Sequence, residues 1–162
     1  MYKRVLVPLD GSEIGESIMP FILQIAGPLD MTVVLVRVLE PPPPMAVEGT
    51  RYFVPGDLAE LQRDAEDYLA AVAAGLRARG VDVTWETRVG RPDTEILAAA
   101  RSAGADLIAM STHGRSGVGR LLFGSVAEQV LRQADVPVFL IRERGAVPAV
   151  LRAGAGGRRP RG

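Results

Sequence analysis

Two short stretches of the chain carry the residues able to do chemistry. The first is Pro8-Leu9-Asp10-Gly11-Ser12. The second runs from Met110 through Ser111, Thr112, His113 and Gly114 to Arg115, and resumes after an apolar triplet at Gly124-Ser125-Val126. Each follows a short aliphatic run. Glycines leave backbone N–H groups accessible, Ser and Thr add hydroxyls and Arg115 adds a positive charge. Such a set can hold an anion without a metal or a catalytic base.

Two common phosphate motifs are excluded. Gly114 to Gly119 has the glycine spacing of a Walker A loop, but Arg120 and Leu121 stand where Lys and Ser or Thr are required. A Gly-x-Gly-x-x-Gly fingerprint fails because Leu122 replaces its last glycine. His113 has no Ser–Asp pairing to make it a catalytic base, so it is expected to pack or hydrogen-bond in its loop. Structural roles compete for the other residues. Asp10 can brace the turn at Gly11-Ser12. Ser125 and Glu128 have the spacing of a capping box, and Leu121, Leu122 and Phe123 suit core or partner contacts. Both stretches can also be ordinary turns between strands and helices.

The elements that must position these residues are legible from periodicity. Arg4 to Leu9 is a near-continuous apolar run, as expected for a strand buried on both faces. Ser12 with Glu13 and Glu16 suits a helix start, and Ile14, Ile18, Ile22 and Ile25 continue one apolar face. Pro20 predicts a kink there. Thr32 to Val38 is rich in β-branched residues and predicts a second strand. Four prolines, Pro41 to Pro44, open an irregular loop to Gly56. Asp57 and Glu60 then resemble a capping box before a helix that stops at Gly80. Val81 to Val89 alternates as a strand with one wetter face, and a helix follows from Pro92 to Arg101. Asp106 to Met110, Ser125 to Gln133 and Pro137 to Ile141 predict strand, helix and strand. Five strands alternating with helices imply one doubly wound parallel α/β sheet. In such sheets ligands collect beyond the carboxyl ends of the strands, where both polar stretches fall.

Composition narrows the function classes. The chain has 162 residues, 48% hydrophobic and 5% aromatic, which fits a single aliphatic α/β domain. It has no cysteine, so disulfides, thiolate zinc sites and cysteine nucleophiles are excluded, and one histidine cannot form a histidine-rich metal cluster. Formal charge is zero. The last 18 residues, Gly145 to Gly162, hold four arginines and no acid, leaving 15 basic and 19 acidic groups in residues 1–144. A mildly acidic body does not suit nucleic acid. The Gly-, Ala- and Arg-rich tail predicts a disordered segment after a domain at 1–144. Val5 to Leu9 is too short for a signal or membrane span, so the simplest expectation is a cytoplasmic protein.

Residues 110–125 resemble the nucleotide-binding loop of the universal stress protein family, Gly-x2-Gly-x9-Gly-[Ser/Thr]. The matching positions are Ser111, Gly114, Gly124 and Ser125, with nine residues between the two glycines and Ser111 replacing the first glycine. Val-Pro-Leu-Asp-Gly-Ser resembles the family's opening strand, Val-Arg-Val its second, Val89-Gly90 its third-strand exit and Val136-Pro137-Val138 its final strand. The similarity covers about 140 residues, all but the tail. It implies a Rossmann-like, adenine nucleotide alpha hydrolase-like fold with strand order 3-2-1-4-5. It further implies an ATP site, with or without magnesium. Pro8 and Leu9 would shape the adenine pocket, Asp10 would contact the adenosine and the Val38 backbone would read the adenine edge. Met110, Ser111 and Gly114 would line the ribose and first phosphates; Gly124, Ser125 and Val126 would take the outer phosphates, helped by Arg115. A small Ser111 would still admit ribose or phosphate. The family also dimerises through its last strand, here Val136 to Ile141.

The expectation is therefore a homodimeric ATP-binding regulatory module in the stress response, with no catalytic residue and at most slow hydrolysis. Two other possibilities stay open: a family member that works through its dimer surface without nucleotide, and a slow ATPase or adenylyl-transfer enzyme.

Overall fold

The structure, a computed structural model, describes residues 1–41, 45–47, 50–52, 55–113 and 124–143. In chain order the elements are β1 (Arg4–Pro8), α1 (Glu13–Glu16), α2 (Met19–Ala26), β2 (Thr32–Leu39), β3 (Met45–Val47), β4 (Thr50–Tyr52), α3 (Pro55–Arg77), β5 (Val83–Val89), α4 (Pro92–Ala103), β6 (Leu107–His113), α5 (Ser125–Gln133) and β7 (Val138–Glu143). Five strands form one sheet in the order β5-β2-β1-β6-β7, every neighbouring pair parallel. Counted within that sheet the order is 3-2-1-4-5, as expected. The winding reverses between β1 and β6, which places the switch point beside both polar stretches.

Alternation along β1 explains the two layers. Val5, Val7 and Leu9 face α2 and α3, joining Leu35, Ile22 and Leu69 in one core; Leu6 faces α4 and α5, joining Val36, Ile96 and Val130 in the other. Each central strand is buried on both faces, hence the unbroken apolar runs. Asp106 ties the strand starts together, accepting from the backbone N–H groups of Lys3 and Arg4 at 2.7 and 3.0 Å.

Several sequence expectations are corrected. Pro20 does not kink a helix interior. It sits in the first turn of α2, where its missing N–H costs nothing, and the chain breaks into α1 and α2 just before it. The stretch after Pro41 is not wholly irregular, because β3 and β4 pair as an antiparallel hairpin with Met45 opposite Tyr52. α3 begins at Pro55, so Asp57 lies within the helix and does not open it. β5 starts at Val83 rather than Val81, and β7 spans Val138–Glu143. β6 continues through Ser111, Thr112 and His113, because β7 pairs with it along that length. Those three residues belong to a strand, not a loop. Gly114, Arg115, Leu121 to Phe123 and the tail from 145 lie outside the described residues.

Candidate functional site

A cavity of about 290 Å³ opens at the carboxyl end of the sheet, between the ends of β1 and β6, the start of α5, and α1. That volume is at the lower end of the range for small-molecule sites. Pro8, Leu9 and Asp10 line it from the β1 side, Val38 from β2, Met110 and Ser111 from β6, and Gly124, Ser125 and Val126 from α5. Nine of the eleven residues singled out in the sequence thus surround one space; Gly114 and Arg115 are the two outside the described residues. Ile14, Gly15, Pro92 and Ile96 also line it, and nothing in their local pattern marks them as site residues. Only the packing of α1 and α4 over the strand ends brings them there.

Three features give the cavity its chemistry. The first is the uncapped start of α5. Gly124 is the N-cap with no side-chain cap bond, and Ser125 is the first helical residue. The Ser125–Glu128 capping box is therefore not formed, and Glu128 instead pairs with Arg132 at 2.9 Å. Thr112, 4% exposed, accepts the Gly124 N–H at 3.2 Å. The next three backbone N–H groups have no helical acceptor, and the positive end of the helix faces the cavity through Ser125 and Val126.

The second feature is the free backbone edge of β2. The Val36 carbonyl accepts the Leu9 N–H at 2.9 Å, while the Leu39 carbonyl accepts the Gly90 N–H on the opposite, β5 side. Alternation then aims the N–H and C=O of Val38 the same way as those of Val36. β1 has already ended at Pro8, opposite Val36, so no strand meets Val38 there.

The third feature is the turn after β1. Asp10 Oδ1 accepts from the Ser12 N–H at 2.9 Å and from its hydroxyl at 2.6 Å, and Ser12 Oγ accepts the Gly15 N–H at 2.9 Å. Asp10 thus braces its turn, and Ser12 caps α1. Gly11 adopts φ +83 with the Arg37 guanidinium 3.3 Å from where a Cβ would stand, so the turn requires glycine. Asp10 is the one ionisable residue among the described lining, and no group of three or more His, Cys, Asp or Glu suited to a metal occurs among the described residues.

Ser111 lines the cavity and also ties its wall to α1. Its hydroxyl donates to the carbonyls of Ile14 and, at 3.1 Å, Gly15.

The universal stress protein family model matches residues 1–142. The chain belongs to the universal stress protein family. A universal stress protein of Methanocaldococcus jannaschii is 31% identical over 145 residues, 88% of this chain and 84% of that protein. Among solved structures, a family member from Burkholderia pseudomallei is 28% identical with a TM-score of 0.66, covering 86% of this chain and 96% of that one. A universal stress protein in complex with cAMP is 25% identical with a TM-score of 0.57, covering 87% and 97%. Universal stress proteins of this size therefore align with the chain nearly end to end. No helix among its described residues is long and apolar enough to cross a membrane.

Proposed function

We propose that this universal stress protein binds an adenine nucleotide, ATP foremost, in the cavity between β1, β6 and α5. The uncapped start of α5, opening onto the same cavity as the free Val38 backbone edge, carries this reading. An adenine ring needs a paired donor and acceptor at its edge, which Val38 supplies. A phosphate needs N–H donors and positive potential, which the start of α5 supplies. Asp10 stands at the β1 side and suits hydroxyls rather than phosphate, so the nucleoside lies toward Asp10 and the phosphates toward Ser125. The family member in complex with cAMP supports the ligand class. Pro8, Leu9 and Met110 would enclose the base and sugar, Gly124 and Val126 would face the phosphates, and Gly114 and Arg115 would complete the phosphate side.

The chain works as a cytoplasmic binding and regulatory module, not a turnover enzyme. No described lining residue is a general base placed beside a phosphate donor set, so hydrolysis is at most slow, and magnesium would come with the nucleotide rather than from protein ligands. It acts as a homodimer paired along β7.

Calorimetry with ATP, ADP and AMP at near-physiological magnesium tests the site, and absence of all three affinities would overturn it. Ser125→Glu is the sharper variant. A carboxylate in the first turn stabilises α5 by roughly 0.3–1 kcal/mol, so the fold is retained. The same charge repels phosphate, so ATP affinity should fall at least about tenfold, equivalent to roughly 1.4 kcal/mol, while adenosine affinity changes little. Unchanged ATP affinity would place the phosphates elsewhere.

A further inference from the structure

α1 is the shortest helix in the wall of the cavity. It has four residues, none of them fully buried, and its apolar anchors lie on either side of it, at Leu9 before and at Ile18 and Met19 after. So short a helix gains little from propagation, and its position between those anchors depends on polar tethers. Within the segment these are the Asp10–Ser12 and Ser12–Gly15 bonds. Two more come from other elements. Ser111, on the same face of β6 as the core residue Ala109, donates to the carbonyls of Ile14 and Gly15. Tyr68 of α3 donates its hydroxyl to Glu16 Oε1 at 3.0 Å. Gly15 leaves no slack: a Cβ there would stand 2.6 Å from Asp10 Oδ1. Ser12, Ile14, Gly15 and Ser111 all line the cavity, so whatever holds α1 sets the shape of the site.

We propose that Ser111 and Tyr68 are positioning residues that clamp α1 as a fixed wall of the cavity, so that loosening either tether speeds the release of ligand. The ligand part rests on the nucleotide reading above; the clamp itself does not.

Hydrogen exchange on the full, unliganded chain tests the clamp directly. In Ser111→Gly, Ser111→Ala and Tyr68→Phe, the amides of residues 13–17 should exchange about three- to tenfold faster, the range expected for one hydrogen bond. Those of β1 and β2 should be unchanged. Stopped-flow displacement of a fluorescent ATP analogue should then show release faster by a similar factor in each variant. Unchanged protection at 13–17 would overturn the clamp. Faster exchange there with unchanged release would overturn its control of the ligand. Failure of the wild-type chain to bind the analogue would instead overturn the nucleotide reading, with the exchange result still deciding the clamp.

Discussion

Tyr68 shows how one side chain ties the site to the pH of its surroundings. Burial, then the adjacent Glu16 carboxylate that accepts its hydrogen bond, push its phenol well above the ordinary tyrosine range; Asp10 adds to this and Arg37 opposes it. The Arg37 guanidinium lies over the Tyr68 ring, 5.2 Å from its centroid. Tyr68 thus stays a neutral donor at neutral pH and well above it. Its folded pKa lies above the unfolded value of about 10, so its contribution to stability is complete below that value and is lost as pH rises beyond it. Stability should therefore begin to fall above about pH 10, the unfolded phenol value, and Tyr68→Phe should flatten that loss. In a phenolate absorbance titration, one of the three tyrosines should ionise well above the ordinary range. Three independent titrations near the ordinary value would refute this. At this same scale the sequence was most legible for Asp10 and Ser12. Their turn chemistry is local, acting across two and three residues, and Ser12 caps α1 as its type suggests. Ser111 was not legible, because its partners are 97 and 96 residues away in the chain.

Elements read from periodicity were found where their signal was internal. β2 rests on a β-branched run and α4 on an apolar face with Pro92 at its first turn and Gly104 beyond its end. Gly104 adopts φ 61 and donates its N–H to the carbonyls of Ala100 and Arg101. Gly104→Ala should cost about 1 kcal/mol in urea unfolding. The nearest atom to the added Cβ, Arg4 Nη1 at 3.5 Å, is at ordinary contact distance, so the cost is conformational rather than steric. A variant as stable as wild type would mean that the helix end relaxes freely. Element ends were less legible. β6 outruns its apolar stretch by three residues because β7 continues to pair with it, and α5 takes Gly124 rather than Ser125 as its cap because buried Thr112 receives the Gly124 N–H. Neither partner is visible from the segment itself.

The whole molecule presents two sheet edges with different chemistry. β5 carries the Glu86–Arg88 pair and an Arg88–Glu95 contact, charges that discourage strand addition. β7 is apolar from Val138 to Ile141, and its Phe139 stacks on Phe21 of α2 at 4.1 Å between centroids. If β7 pairs with a second copy, light scattering should give twice the chain mass across the micromolar range, and a monomer mass there would refute the dimer. The residues 145–162 that the sequence reads as a tail are not among the described residues, and the family match ends at residue 142.

The alternation of strands and helices, the layer each central strand would bury and the two polar stretches were all determined by the sequence itself. They depend on periodicity and turn chemistry that act over a few neighbours. The cavity and the tethers of α1 were decided only by the tertiary structure. The sheet order brings β1 and β6 side by side, and a hydroxyl on one strand meets carbonyls on a helix almost a hundred residues earlier. No local pattern encodes such a meeting, because its energy exists only once the sheet has closed.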